Sequence, residues 1–186
     1  MKLNKIMKNN GVLYRTRVYL AGNIENSNDL GWRDKIAKKL TKLNIIVLDP
    51  TKKVFREQVQ ETEEIKKNLI WARNHERYDF VHDFMKGVIQ KDLRQIDICD
   101  FVIIKLDYKK FTAGTMTEIT IASGQRKPLL FLVSSKKKMP LWLVGLCNMR
   151  YVFEKEEDLI DLLKKLNNGE YKPDTKYWKI LVDELK

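Results

Sequence analysis

Residues 100 to 133 contain a strand, a glycine turn, a helix and a second strand in succession, and this order constrains the fold more than any other feature. Asp100–Asp107 (DFVIIKLD) is a short apolar run of strand length, and Pro128–Val133 (PLLFLV) is another. Between them, Glu118 is expected in the first helical turn after the glycine. Such βαβ units bind ligands at the carboxyl ends of their strands. We therefore expect Glu118 to face a cleft.

The first half of the chain repeats the alternation of strand and helix. Arg17–Ala21 is a candidate strand, Gly22–Asn28 a polar loop, and Asn44–Leu48 a second buried strand. Pro50 closes that strand, because proline cannot continue a ladder. An apolar stripe with helical spacing lies between the two strands: Trp32, Ile36, Leu40 and Leu43.

The second half adds a last short strand near Tyr151–Phe153 and helices from about Glu156 and Asp174. This pattern predicts an α/β fold, a flavodoxin-like or Rossmann-like three-layer sandwich with a five-stranded parallel sheet. We predict one domain over residues 1–186, with its core at about 15–170. Residues 51–90 are predicted to form a helical insertion, broken near Gly87, that serves as a lid or a partner surface.

Composition limits the classes of function. The net charge is +11, from 36 Lys and Arg against 25 Asp and Glu, which favours negatively charged partners. The basic residues are scattered without an aromatic ladder, so a nucleic-acid surface is possible but not favoured. No apolar run is long enough to span a bilayer, and Cys99 and Cys147 have no metal-type spacing. We expect a cytoplasmic protein with free, buried thiols and no membrane contact.

The residues alone leave several interpretations open. Thr115 and Glu118 also fit a capping box, which would give Glu118 a purely structural role. A lone helical Asp92 is most often a surface charge, and Tyr19 near the end of a strand is most often a core residue. The lysines Lys136–Lys138 follow a strand end and are candidates for phosphate binding or for a solvated turn. The two histidines have no third ligand nearby, so we expect no metal site.

Three segments together resemble the nucleoside 2-deoxyribosyltransferases and the related deoxynucleoside-monophosphate N-glycosidases. They are VYLAG at Val18–Gly22, DLRQIDICD at Asp92–Asp100, and GTMTEI at Gly114–Ile119 followed by Lys127-Pro128. Each segment is short, but their order and spacing are similar to those of the family across residues 16 to 153.

The resemblance implies roles for individual residues. Glu118 matches the nucleophile that attacks the anomeric carbon of deoxyribose, and a position at a helix N-terminus would keep it ionised. Tyr19 matches the tyrosine that orients this carboxylate, and Asp92 matches an aspartate that holds the substrate and handles the proton of the departing base. The implied substrate-binding residues are Gly22, Asn23, Ile24, Thr112, Gly114, Thr115 and Trp142.

Two departures from the family pattern bear on the substrate. Transferases of the family carry an acid where this chain has Thr112, and a hydroxyl there suits a phosphate oxygen, as in the monophosphate-specific relatives. Transferases also supply an asparagine from a neighbouring subunit where this chain has Trp142, which either stacks on a base or packs in the core or an interface. A homo-oligomer is implied, since family sites are completed across subunits.

The resulting hypothesis is an enzyme that cleaves the N-glycosidic bond of a deoxyribonucleoside or its 5′-monophosphate, without metal or organic cofactor. Water or a second base would accept the sugar. Two alternatives remain open at this stage. One is a non-catalytic nucleotide-sensing or nucleic-acid-binding protein on the same fold. The other is an enzyme that hydrolyses a different N-glycoside, such as the nicotinamide ribosyl bond of a dinucleotide.

Overall fold

A computed structural model of the protein describes residues 11–22, 31–52, 63–109 and 112–181. Its five strands are β1 (Arg17–Gly22), β2 (Ile46–Leu48), β3 (Phe101–Leu106), β4 (Leu129–Val133) and β5 (Val152–Phe153). All the neighbouring strand pairs are parallel, in the order β2-β1-β3-β4-β5. This is the flavodoxin-like order, and it confirms the predicted five-stranded parallel sheet.

Six α-helices lie in the described part of the chain. They are α1 (Gly31–Thr41), α2 (Glu63–Asn74), α3 (Tyr78–Ile98), α4 (Ala113–Gly124), α5 (Leu141–Leu146) and α6 (Glu156–Asn167). Short 3-10 helices form at Lys136–Lys138, Met149–Tyr151 and Lys179–Leu181. None of the described helices is both long and apolar enough to cross a bilayer.

The two faces of the sheet bury separate apolar clusters, because successive residues of a strand point to opposite sides. On β1, Val18 and Leu20 join a cluster with α1 and α6, whereas Tyr19 and Ala21 join a cluster with α3, α4 and α5. The chain after α6 completes the first cluster, where Trp178 is fully buried. The result is a three-layer sandwich, with helices on both faces of one sheet.

Several predicted boundaries are wrong. The break in the helical stretch lies at His75–Arg77, where Glu76 has a φ of 57°, and not at Gly87, which continues α3. The helix predicted from Asp174 is a turn followed by the 3-10 helix Lys179–Leu181. Residues 53–62 of the expected insertion, and the loop that contains Asn23 and Ile24, lie outside the described residues.

Candidate active site

The strand order reverses between β1 and β3, and the crevice at their carboxyl ends is where sheets of this kind bind ligands. β1 ends at Gly22, which lies opposite Lys105 of β3 in the register. Helix α4 follows β3 and packs on the Tyr19 face of the sheet. The candidate residues from the first strand and from α4 therefore converge at this point.

Helix α4 begins one turn earlier than the capping box requires. Thr112 is its N-cap and Ala113 its first residue, so that Glu118 lies in the second turn and not in the first. The Thr112 and Thr115 hydroxyls are 3.0 Å apart, and the Thr112 side chain makes no capping hydrogen bond. The capping-box interpretation is thus wrong. The expected help from the helix dipole is also reduced, because that effect falls off within the first turn.

Glu118 is instead bound by the first strand. The Tyr19 hydroxyl donates to Glu118 Oε1 at 2.6 Å, and both residues are buried. Burial raises the pKa of Tyr19 well above its ordinary value, and the charges of Glu118 and Asp92 raise it further, against the opposing charge of Arg33. Tyr19 therefore remains a protonated donor at neutral pH. This hydrogen bond fixes the orientation of the Glu118 carboxylate.

Asp92 belongs to the same cluster of charges. It lies on α3, whose Ile96 packs on the Tyr19 face of the sheet, and its side chain is half-buried. Its charge raises the pKa of Tyr19, so the carboxylate lies within electrostatic reach of the Tyr19 hydroxyl. It is not the isolated surface charge that its local sequence favours.

Arg33 is a residue of this region that the sequence reasoning missed. It lies in the first turn of α1, only 1% exposed, with its Nη2 donating to the Gly22 carbonyl (2.7 Å) and its Nε to the Leu20 carbonyl (3.3 Å). Its Nε is also 3.8 Å from Oδ1 of the buried Asp49. The sequence signal for such a residue was Pro50. Because proline has no N–H, the chain after β2 cannot donate a hydrogen bond to β1 at this position, and a side chain has to do so.

Gly22 allows a close approach at the end of β1. It has a φ of 156°, and a Cβ at this position would lie 2.9 Å from the Lys105 carbonyl oxygen and 3.1 Å from the Trp32 ring. A side chain would force the backbone of β3 or the indole to move. The carboxyl end of β1 can therefore pack closely against β3 and Trp32 only because Gly22 has no side chain.

The remaining sequence candidates lie at the margins. Gly114 is exposed in the first turn of α4. Trp142 is 75% exposed on α5, which excludes the core position considered for it. The side chains of Lys136–Lys138 are exposed, and the Lys136 amide already donates to a carboxylate, Glu154 Oε1, at 2.6 Å. Asn23 and Ile24 lie outside the described residues.

The sequence profile of the nucleoside 2-deoxyribosyltransferase family matches residues 18–163. No protein of curated function matches the sequence.

Among solved structures, the chain is similar to a 2-deoxyribosyltransferase of Bacillus psychrosaccharolyticus, with 17% identity, a TM-score of 0.54, and coverage of 78% of this chain and 91% of that one. A conserved protein of Enterococcus faecalis V583 has 17% identity and a TM-score of 0.55, over 81% of this chain and 98% of that one. The CMP N-glycosidase BcmB of Clostridium botulinum has 15% identity and a TM-score of 0.47, over 80% and 99%.

The two structural similarities with TM-scores above 0.5 establish the fold, and the profile match shows the family. That match covers most of the chain, from the first strand through β5 into α6, and so includes Tyr19, Asp92 and Glu118. The protein therefore belongs to the nucleoside 2-deoxyribosyltransferase family, whose members are enzymes that act on the N-glycosidic bond.

Proposed function

We propose that the protein cleaves the N-glycosidic bond of a deoxyribonucleoside or its 5′-monophosphate, with Glu118 as the nucleophile. The observation that carries this proposal is the buried 2.6 Å hydrogen bond from Tyr19 to Glu118 at the point where the strand order reverses. A carboxylate oriented by a neutral phenol near the carboxyl ends of the strands is suited to attack a sugar carbon.

The proposed reaction has two displacements at C1′ of the deoxyribose. In the first, a Glu118 oxygen bonds to C1′ from the face opposite the base, the C1′–N bond breaks, and the base leaves with the electron pair and takes up a proton. In the second, water or another base bonds to C1′ and loses a proton, while the ester bond breaks and restores the carboxylate. Hydrolysis and transfer to a second base proceed through the same glycosyl ester. They differ only in whether the site admits water to the ester or excludes it until a base binds.

Asp92 is the proposed partner in substrate binding and proton handling. Its charge reaches Tyr19, so a base that leaves from the sugar held by Glu118 would depart near a second carboxylate. A leaving base needs a proton, and a carboxylate beside it can take one up from solvent and pass it to the base.

The N-terminal turn of α4 is the proposed binding site for a 5′-phosphate. Thr112 and Thr115 have hydroxyls 3.0 Å apart at the start of a 12-residue helix. The first amides of a helix and nearby hydroxyls are donors suited to phosphate oxygens, and the net charge of +11 favours an anionic substrate. We therefore favour the monophosphate over the free nucleoside.

The first experiment measures base release from deoxynucleosides and their 5′-monophosphates by chromatography, with and without a second base. The variants are Glu118→Gln, Glu118→Ala and, as a matched control, Glu156→Gln. Glu156 begins α6, on the opposite face of the sheet, where its carboxylate pairs with Lys39. Wild type and the control should release base, and Glu118→Gln should be at least about 1,000-fold slower.

Azide supplied to Glu118→Ala tests the covalent step directly. A small external nucleophile can enter the space of the missing side chain and form a glycosyl azide whose configuration at C1′ is inverted relative to the substrate, as a nucleophilic role of Glu118 predicts. If the wild type releases base and Glu118→Gln retains that activity, Glu118 is not the nucleophile. If no substrate turns over but nucleotides bind equally to both proteins, the non-catalytic alternative is correct.

A further inference from the structure

The carboxyl end of β1 extends past its neighbour β2 and leaves two carbonyls without strand partners. The Thr16 carbonyl accepts from Ile46 N and the Arg17 carbonyl from Asp100 N, so carbonyls alternate between the β2 side and the β3 side. The carbonyls of Leu20 and Gly22 therefore point to the β2 side. The next donor there would be residue 50, a proline without an N–H.

Arg33 occupies the position of the missing strand. Its guanidinium bonds to both carbonyls, at 3.3 Å and 2.7 Å, and its planar fork of donors suits two acceptors on one strand edge. A lysine could not replace both bonds with the same geometry. The residue thereby holds the carboxyl end of β1 in place at Gly22.

Arg33 also brings a buried positive charge to the carboxylates. Burial lowers the pKa of Arg33, while the charges of Asp49, Glu118 and Asp92 act in the opposite direction, so that the guanidinium lies within electrostatic reach of these three carboxylates. Its Nη1 is buried and has no hydrogen-bond partner among the described residues. A purely structural arginine would be expected to satisfy this donor, because an unpaired buried group is destabilising.

We propose that Arg33 is a positioning residue for the nucleophile, which fixes the carboxyl end of β1 and supplies the positive charge that keeps Glu118 ionised between Tyr19 and Asp92. The inference rests on the proposed role of Glu118. The groups that face this charge come from four elements: Tyr19 from β1, Asp49 from the segment after β2, Asp92 from α3 and Glu118 from α4.

The test separates charge from hydrogen bonding with two variants, Arg33→Gln and Arg33→Lys. Glutamine keeps a donor but loses the charge, whereas lysine keeps the charge but cannot bond both carbonyls. The matched control is Arg17→Gln, at the opposite end of β1, where Arg17 pairs with Asp100. The readouts are the pH profile of kcat/KM and the titration of Glu118 by carbon-13 NMR of labelled glutamate, assigned from its loss in Glu118→Gln.

We expect the Glu118 titration midpoint and the acidic limb of the pH profile to move about one pH unit upward in Arg33→Gln, because removal of a nearby positive charge favours the protonated carboxyl group. Both should stay in place in Arg33→Lys and in Arg17→Gln. In Arg33→Lys, kcat should fall roughly 10- to 100-fold with the pH profile unchanged, because the strand end is less well fixed.

An unchanged Glu118 midpoint in Arg33→Gln would overturn the charge role, and wild-type kcat in Arg33→Lys would overturn the fixing role. Should Arg33→Gln not fold, Arg33→Lys decides, since a midpoint that rises although the charge is kept contradicts the proposal. The NMR titration does not require turnover. It therefore distinguishes failure of this inference from failure of the proposed function, which Glu118→Gln reports in the base-release assay.

Discussion

Glu118 is a carboxyl group in a place where burial alone would oppose a charge. Its residue is only 9% exposed on the apolar α4, and an uncompensated buried carboxylate costs several kcal/mol. A hydrogen bond to a charged group returns about 1.5–3 kcal/mol, so the Tyr19 contact offsets part of that cost. An apolar residue would serve the core better. A buried carboxylate with a dedicated donor is therefore better explained by chemistry than by stability.

The prediction at this scale concerns the donor. Tyr19→Phe removes the hydroxyl but keeps the ring in the core, so the protein should stay folded, with a loss of about 1–3 kcal/mol in the free energy of unfolding. Base release should fall roughly 10- to 100-fold in kcat, because Glu118 loses the contact that orients it. Steady-state kinetics and urea unfolding measure the two effects.

Tyr177→Phe is the matched control for this variant. The Tyr177 hydroxyl both donates to the Leu129 carbonyl and accepts from the Leu129 amide at 2.8 Å, at the amino end of β4 and away from the strand ends that form the site. Its loss should reduce stability and leave kcat unchanged. Equal kcat losses in the two variants would indicate that Tyr19 acts only through packing.

At the scale of elements, the strands were predictable from the sequence and the helix boundaries less so. Buried parallel strands read as short apolar runs, and all five strands lie where such runs occur. The start of α4 was misplaced because Gly114 suggests a turn, although the helix already begins at Ala113. The break at His75–Arg77 has no glycine or proline, and Glu76 adopts the left-handed region without a local sequence signal.

The site shows the same limit. Tyr19 and Glu118 are 99 residues apart, and from the sequence only the resemblance to the family predicted that they interact. Arg33 belongs to no such pattern. Its role follows from the end of β2 at Leu48, which leaves the Leu20 and Gly22 carbonyls of β1 without strand partners. Pro50 marks this strand end in the sequence, but it does not show which side chain bonds to the two carbonyls.

Helix α5 gives a prediction about assembly. Its Leu141 and Trp142 are 89% and 75% exposed, and large apolar side chains exposed side by side indicate an interaction site. The resemblance implies a residue supplied across subunits at Trp142, so we propose a homo-oligomer formed through α5. Trp142→Glu should shift the protein toward the monomer and lower kcat/KM, measured by light scattering after gel filtration and by base release.

Trp71→Glu is the matched control for this substitution. Trp71 is also more than half exposed, but it lies on α2, where its ring stacks on His75 at a centroid distance of 4.2 Å. This variant should keep the oligomer of the wild type. Dissociation by Trp71→Glu but not by Trp142→Glu would place the interface on α2 instead.

At the scale of the whole molecule, the sheet that carries the site also packs against a buried thiol, Cys99, which takes no part in the proposed chemistry. The central strand β3 lies between β1 and β4, and the chain just before it contains Cys99, whose Sγ donates to the Ile96 carbonyl at the end of α3. Cys99 is a free, buried thiol as predicted, whereas Cys147 is free but only partly buried. The packing that holds α3, and with it Asp92, therefore includes a titratable group.

Cys99 should make the stability of the protein dependent on pH in the alkaline range. Burial raises the pKa of Cys99 from 9.0 to about 11, with Asp100 adding to the rise and Lys127 opposing it. Because the folded state binds this proton more tightly than the unfolded state, the contribution is complete below pH 9 and is lost as the pH rises toward 11. The loss should amount to at most about 2–3 kcal/mol.

Urea unfolding at constant ionic strength between pH 8 and pH 11 measures this loss in wild type and Cys99→Ser. Serine keeps a donor for the Ile96 carbonyl but does not titrate in this range, so the variant should lose less stability across the interval. Burial also raises the pKa of the partly exposed Cys147, so Cys147→Ser should reduce the alkaline loss, but by less than Cys99→Ser does. Parallel curves for wild type and Cys99→Ser would show that other groups cause the alkaline loss, the buried Tyr151 and its pKa of about 12 among them. A curve that is flatter for Cys99→Ser than for the wild type would assign the loss to the junction between β3 and α3, the helix on which Asp92 lies.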